Sequence, residues 1–173
     1  EPGSPVQLGA IPSVYAQSGR VLHHHGRVGI LCLAETVRSA ASATLIAHGV
    51  ARDGYHLHVV PNDRVWLRDA APTFVWNNEG AVEMVSWRFN AWAKYNNWQK
   101  DRKVPETAAR VLKKKLFNAE CNGRNFVVEG GGIDLNGSGP LLTTGECYLH
   151  PKIQSRSPGL TRREADGKCK KHL

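Results

Sequence analysis

Across residues 28–60 the sequence passes from a short apolar run, VGILCL, through a segment with apolar residues at helical spacing, into a second strand-like run, HLHVV. Val37, Ala41 and Leu45 repeat at i, i+4 and i+8 and predict one face of a helix over 34–48, with Gly49 as its C-terminal stop. Strand, helix, strand within about thirty residues is a βαβ unit. Its crossover is expected to be right-handed, with the two strands parallel. That requirement sets an α/β class before the rest of the chain is read.

The later segments extend the pattern. VWLRDAAPTFV (65–75) reads as a strand, Asn77-Asn78-Glu79-Gly80 as a turn, and 81–87 as the returning strand of a hairpin. A second helix is predicted over 105–117, with Pro105 at its first position and Ala108, Val111, Leu112 and Leu116 facing inward. Strands are predicted at 126–128 and 141–149, with Asn136-Gly137 as a tight turn. Residues 1–10 are rich in Pro and Gly and are expected to be loose. A helix is expected over 11–25, ending near His23-His24-His25.

At 173 residues the chain suits one domain or a piece of a larger one. With 41% apolar and 22% charged residues it has a globular composition. No apolar run has the length of a membrane span, so no membrane partner is expected. The first residues, EPGSPVQLGA, lack a signal pattern, and the missing Met suggests a processed chain or a piece of a longer one. Cys32, Cys121, Cys147 and Cys169 lie far apart without a CxxC pair, which argues against a zinc ribbon or a thioredoxin-like site. Cys32 is expected to be a buried thiol, and the chain is read as reduced and cytoplasmic.

The formal net charge is +8, and residues 152–173 carry seven Lys/Arg against two acids. A basic face can meet phosphates, but no helix-turn-helix, zinc-finger or RNP pattern accompanies it, so nucleic acid is not an expected partner. Lys113-Lys114-Lys115 reads as a solvated helix face. A non-catalytic basic binding module stays open as the alternative function. No metal is expected. Adjacent histidines such as His23-His24-His25 point in different directions on a helix. His56 and His58 share a strand face but make only two ligands. The DLNGSG segment lacks the acid that closes a calcium loop.

Two carboxylates carry the chemistry. Asp69 lies within the apolar run at 65–75, and Glu129 ends the run FVV and precedes three glycines. The glycines do not form a phosphate cradle, because no Lys-Ser/Thr pair follows and the dinucleotide spacing is absent. Two acids at strand ends that share a cleft can do acid-base work or bind a cation. A guanidinium suits them, because its forked donors match a carboxylate. The plain alternative for Arg68-Asp69 is a surface ion pair of little energetic weight.

WLRDAAPTF, FNAWAKYNNWQKD and VVEGGGIDLNGSGPLLTT, in this order and spacing, resemble the agmatine deiminase family, which includes the Porphyromonas-type peptidylarginine deiminases. ECYLHPKIQSRSPGLTRRE looks like the segment that follows in that family. The resemblance covers residues 21–164. It implies a pentein fold, a ring of five ββαβ modules of which this chain would hold about two. The domain expectation is a loose segment and helix start at 1–20 and a partial pentein domain at 21–173. The implied reaction hydrolyses a guanidino group to a ureido group and releases ammonia. It needs no metal or organic cofactor, and with agmatine it leads toward putrescine and the polyamines.

By the same resemblance Asp69 and Glu129 are the catalytic carboxylates that grip the substrate guanidinium, and Trp66 lines the substrate site with them. Agmatine or peptidyl arginine would be the small-molecule or peptide partner. Arg68 would support the motif rather than touch substrate. The family's nucleophilic Cys and its general acid/base His in a GHxD motif have no counterpart among the four cysteines and eight histidines here. An inactive chain is therefore expected, with Cys147 as the one substitute nucleophile considered. An exposed module edge would favour self-association. Ala71 stands where the motif has Gly, and it would be strained if the position needed a positive φ.

Overall fold

A computed structural model describes residues 5–121 and 123–173. The chain divides into two compact units, Glu1–Pro61 and Asn62–Leu173.

In the first unit, helix α1 (Pro5–Leu22) is followed by strand β1 (Val28–Cys32), helix α2 (Glu35–Ala47) and strand β2 (Tyr55–Val59). Strands β1 and β2 are parallel, in register from Val28↔Tyr55 to Cys32↔Val59. This is the βαβ unit expected from the sequence. Gly49 ends the crossover helix with φ 76°, a left-handed angle that glycine adopts without cost. Helix α1 begins earlier than expected, inside the stretch read as loose, and stops before His23. Pro5 fits its first position because that N–H would have no helical partner in any case. Ala16, Leu45, Val50 and Tyr55 form the buried cluster, with Val28, Ile30 and Leu57 packed against it. Of the predicted α2 face, Leu45 is buried whereas Val37 is 44% exposed. Cys32 is buried, and that burial pushes its thiol pKa up.

The second unit opens with one helical turn, α3 (Leu67–Ala70), where the sequence reading placed the start of a strand. Val65 and Trp66 are exposed, so their apolar character does not mark a buried strand. Ala71 is extended ahead of Pro72, as a pre-proline residue prefers, and the true strand β3 (Thr73–Trp76) starts only there. It pairs antiparallel with β4 (Val82–Ser86). Asn77 closes the hairpin, its side-chain oxygen accepting the N–H groups of Glu79 and Ala81. Helix α4 (Val104–Leu112) returns the chain to β5 (Leu116–Asn118), which lies parallel to β4. The helix is shorter than predicted because Lys113 turns left-handed at φ 51°. Lys113-Lys114-Lys115 is therefore the exit toward β5 and not a helix face. Val104 and Pro105 are its buried residues, whereas Val111 and Leu112 are exposed.

Two short ribbons follow, β6 (Glu120–Cys121) with β7 (Arg124–Asn125) and β8 (Ile133–Leu135) with β9 (Leu141–Thr143). The second is the hairpin expected around Asn136-Gly137. Residues 126–128, predicted as a strand, are buried but form no regular strand. Val127 makes a single parallel bridge to Arg88. The strand expected over 141–149 ends at Thr143 and gives way to helix α5 (Gly145–Leu149). Helix α6 (Arg162–His172) starts at a reciprocal cap between Thr161 and Glu164. Val85, Trp87, Ala119, Phe126, Val128, Ile133 and Tyr148 form the main core of this unit. Among the described residues no helix is long and apolar enough to cross a membrane.

Candidate functional site

The site forms where the α3 turn meets the residues after Val128. Ala70 is buried beside Phe89 and Ala91 and anchors the turn, leaving Asp69 half-buried. Ala71 has φ −75° and ψ 161°, so alanine is unstrained there and the position does not call for glycine. Phe126, Val127 and Val128 are buried in succession and carry Glu129 into the interior, where it is 3% exposed.

Gly130, Gly131 and Gly132 form a single tight turn after Glu129. They serve close approach more than backbone bending. A Cβ on Gly130 would strike the carbonyl oxygen of Arg68, one on Gly131 the Asp69 carboxylate, and one on Gly132 the Tyr148 hydroxyl. Without side chains the turn can lie directly on the Arg68-Asp69 backbone. The Gly131 N–H then donates to Asp69 Oδ1 at 2.9 Å. Thr143 Oγ1 donates to the Gly132 carbonyl at 2.7 Å, and Tyr148 Oη donates to the Glu129 carbonyl at 3.0 Å. The Asp69 carboxylate thus lies against the turn that follows Glu129, close enough for its charge to act on the Glu129 carboxyl.

Arg156 completes the cluster. Its Nε–H is shared between Glu129 Oε1 and Oε2 at 3.2 and 3.4 Å. Its Nη1 donates to the Gln154 backbone and side-chain oxygens, both at 3.1 Å. Burial pushes the Glu129 carboxyl pKa above its ordinary value. The Arg156 guanidinium opposes that rise, and the nearby Asp69 charge adds to it. Burial, followed by the Glu129 charge, pushes the Tyr148 phenol pKa far upward, so this hydroxyl stays a donor.

Trp66 precedes the α3 turn and is 58% exposed. The Arg68 side chain faces solvent, and its carbonyl lies against Gly130. Cys147 is exposed on α5, next to Tyr148. Sequence reasoning missed Tyr148, which lay in a predicted strand, and Arg156, which was counted in the basic tail. A signal for Arg156 existed: a carboxylate at the end of an apolar run needs a cation if it is to stay charged. Among the described residues no group of three or more His, Cys, Asp or Glu is placed to hold a metal ion.

The family model for Porphyromonas-type peptidyl-arginine deiminase matches residues 3–173. The agmatine deiminase of Ectopseudomonas mendocina (strain ymp) is 35% identical over 147 residues, covering 80% of this chain and 38% of that protein. An X-ray structure with a provisional agmatine deiminase assignment superposes with a TM-score of 0.81 at 28% identity, covering 96% of this chain and 45% of the other. The solved agmatine deiminase of Enterococcus faecalis shares the fold, with a TM-score of 0.72 at 21% identity over 89% of this chain and 40% of its own. The α/β architecture is that of the pentein-type agmatine deiminases, and the chain spans less than half the length of these relatives.

Proposed function

Because the chain belongs to the Porphyromonas-type peptidyl-arginine deiminase family, we propose that it serves the hydrolysis of a guanidino group to a ureido group with release of ammonia. Its part is to receive the guanidinium. The observation that carries this reading is the contact between the two acidic motifs, with Asp69 held by the backbone that follows Glu129. A monocation is drawn to such a place because Asp69 and Glu129 together outweigh the single Arg156 charge. Asp69 Oδ2 presents its lone pairs at a half-buried position, where a forked N–H donor gains more than it would in open water. Trp66 lines the approach. Its exposed ring offers a face for a planar cation.

Agmatine is the substrate class favoured by the relatives' names, with peptidyl arginine as the second candidate. The reaction would place the protein on a route toward putrescine in the cytoplasm. The covalent route needs a thiolate nucleophile and a histidine acid/base. None of the cysteines or histidines of this sequence stands in the family's motifs for those roles. The 173 residues therefore bind the guanidinium without turning it over.

Ammonia release from agmatine, measured beside agmatine binding on the same purified chain, tests this. Binding without ammonia is expected. Turnover that is abolished by Cys147→Ser would overturn the division of labour and make Cys147 the nucleophile.

A further inference from the structure

We propose that Arg156 is the positioning residue for Glu129: its guanidinium fixes the carboxylate in place, so that Asp69 and Glu129 together present one net negative charge to one incoming guanidinium. The inference rests on the reading of the site given above and adds a residue that the acidic motifs do not contain.

The geometry shows a built-in support. The side chains of Arg156 and Glu129 are 9% and 5% exposed. One Nε–H is shared between both carboxylate oxygens, which ties the carboxylate to the guanidinium. Arg156 is itself held from several sides. Nη1 is fastened to Gln154, whose backbone turns left-handed at φ 45°. The Arg156 carbonyl accepts from Asn90 Nδ2 at 3.2 Å. The next residue, Ser157, accepts the Val127 N–H at 3.1 Å, two positions before Glu129. The guanidinium is therefore stapled to the segment that carries the carboxylate and is not free to swing out as a mobile latch.

Charge gives the support its purpose. Among the described residues the charged groups acting on Glu129 are Arg156 and Asp69, and Tyr148 donates to its carbonyl. Tyr148 is neutral, and Asp69 repels. Among the described residues Arg156 is the side chain that favours the ionised form against burial, with a smaller backbone hydrogen-bond contribution beside it. Without it, a buried carboxylate beside another would take up a proton, and a neutral acid does not attract a cation. With it, the trio of Asp69, Glu129 and Arg156 carries a charge of minus one. A ligand guanidinium then makes the group neutral, which is favourable in a site of low dielectric.

The experiment uses the 173-residue chain with ¹³C-labelled glutamate. The carboxyl carbon of Glu129 is titrated by NMR in the wild type, Arg156→Gln and Arg156→Lys, and agmatine binding is measured by calorimetry on the same samples. In Arg156→Gln the Glu129 titration is expected to move upward, and agmatine affinity to fall about tenfold or more. In Arg156→Lys the titration is expected to stay near that of the wild type. Its affinity should still drop, because an ammonium lacks the planar fork. An unchanged Glu129 titration in Arg156→Gln overturns the inference, as does tighter agmatine binding, which would make Arg156 a competitor for the site. If Arg156→Gln does not fold, the lysine variant decides: wild-type affinity there overturns the inference. If the wild type itself fails to bind agmatine, the reading of the site fails, and the Glu129 titration alone judges Arg156.

Discussion

The Gly131 amide donates to Asp69 Oδ1 at 2.9 Å across 62 positions of sequence. The carboxylate of one motif is thus oriented by the backbone of the other. The bond forms because Gly130 and Gly131 let the turn after Glu129 lie against Arg68 and Asp69, where a Cβ would clash.

Replacing Gly131 by alanine drives a methyl group into the Asp69 carboxylate. The Asp69 carboxylate must then swing aside or the turn and α3 part, and either way the 2.9 Å bond is lost. A destabilisation of about 1–3 kcal/mol is expected, as for other overpacked sites. Urea denaturation of the variant measures it. Gly145→Ala is the control, since nothing lies within 4 Å of a Cβ there. Equal effects from the two substitutions would show that close approach is not what the glycine provides.

Tyr148→Phe deletes the hydroxyl that donates to the Glu129 carbonyl at 3.0 Å. The ring stays in the core with Trp87 and Phe126, so packing is preserved. The loss is that of one buried hydrogen bond, about 1 kcal/mol, read as a lower urea midpoint with an unchanged slope. Wild-type stability in the variant would mean that water or another donor replaces the hydroxyl.

Stability should depend on pH with a definite sign. Burial raises the Glu129 carboxyl pKa above its ordinary value of 4.5, and it raises Asp101 from 3.8 in the same way. A carboxyl raised in the folded state holds its proton more tightly there than in the unfolded chain. Its contribution is complete below the unfolded value and is lost as pH climbs through the folded one. The Glu129 contribution to stability should therefore fall as pH rises above about 4.5. Glu129→Gln should flatten that part of the slope, with denaturation midpoints taken at intervals from about pH 4 to 8. A slope untouched by the substitution would place the titration elsewhere.

Much of this architecture could be read from the residues. The β1-α2-β2 unit followed from two apolar runs and a helical repeat between them. The β3-β4 and β8-β9 hairpins followed from Asn77-Asn78-Glu79-Gly80 and Asn136-Gly137. The failures have a common physical source, which is that an apolar run does not by itself specify a strand. Val65 and Trp66 are 70% and 58% exposed and lead into a helical turn, although VWL reads as strand. Residues 126–128 are buried, yet tertiary packing holds them and they have almost no ladder bonds. Arg156 could not be placed by periodicity, because it stands in a loop between Gln154 and Pro158 with no repeating pattern. Only the buried charge at Glu129 implied such a partner, and nothing local said which arginine would supply it.

Calorimetric titration with agmatine reads out whether Asp69 and Glu129 form one guanidinium receptor. The 173-residue chain should bind agmatine near neutral pH, and Asp69→Asn should weaken that binding about tenfold or more, since it removes the charge but keeps the shape. Equal affinity in the two proteins, or no binding by either, would mean that the two carboxylates are not a guanidinium receptor.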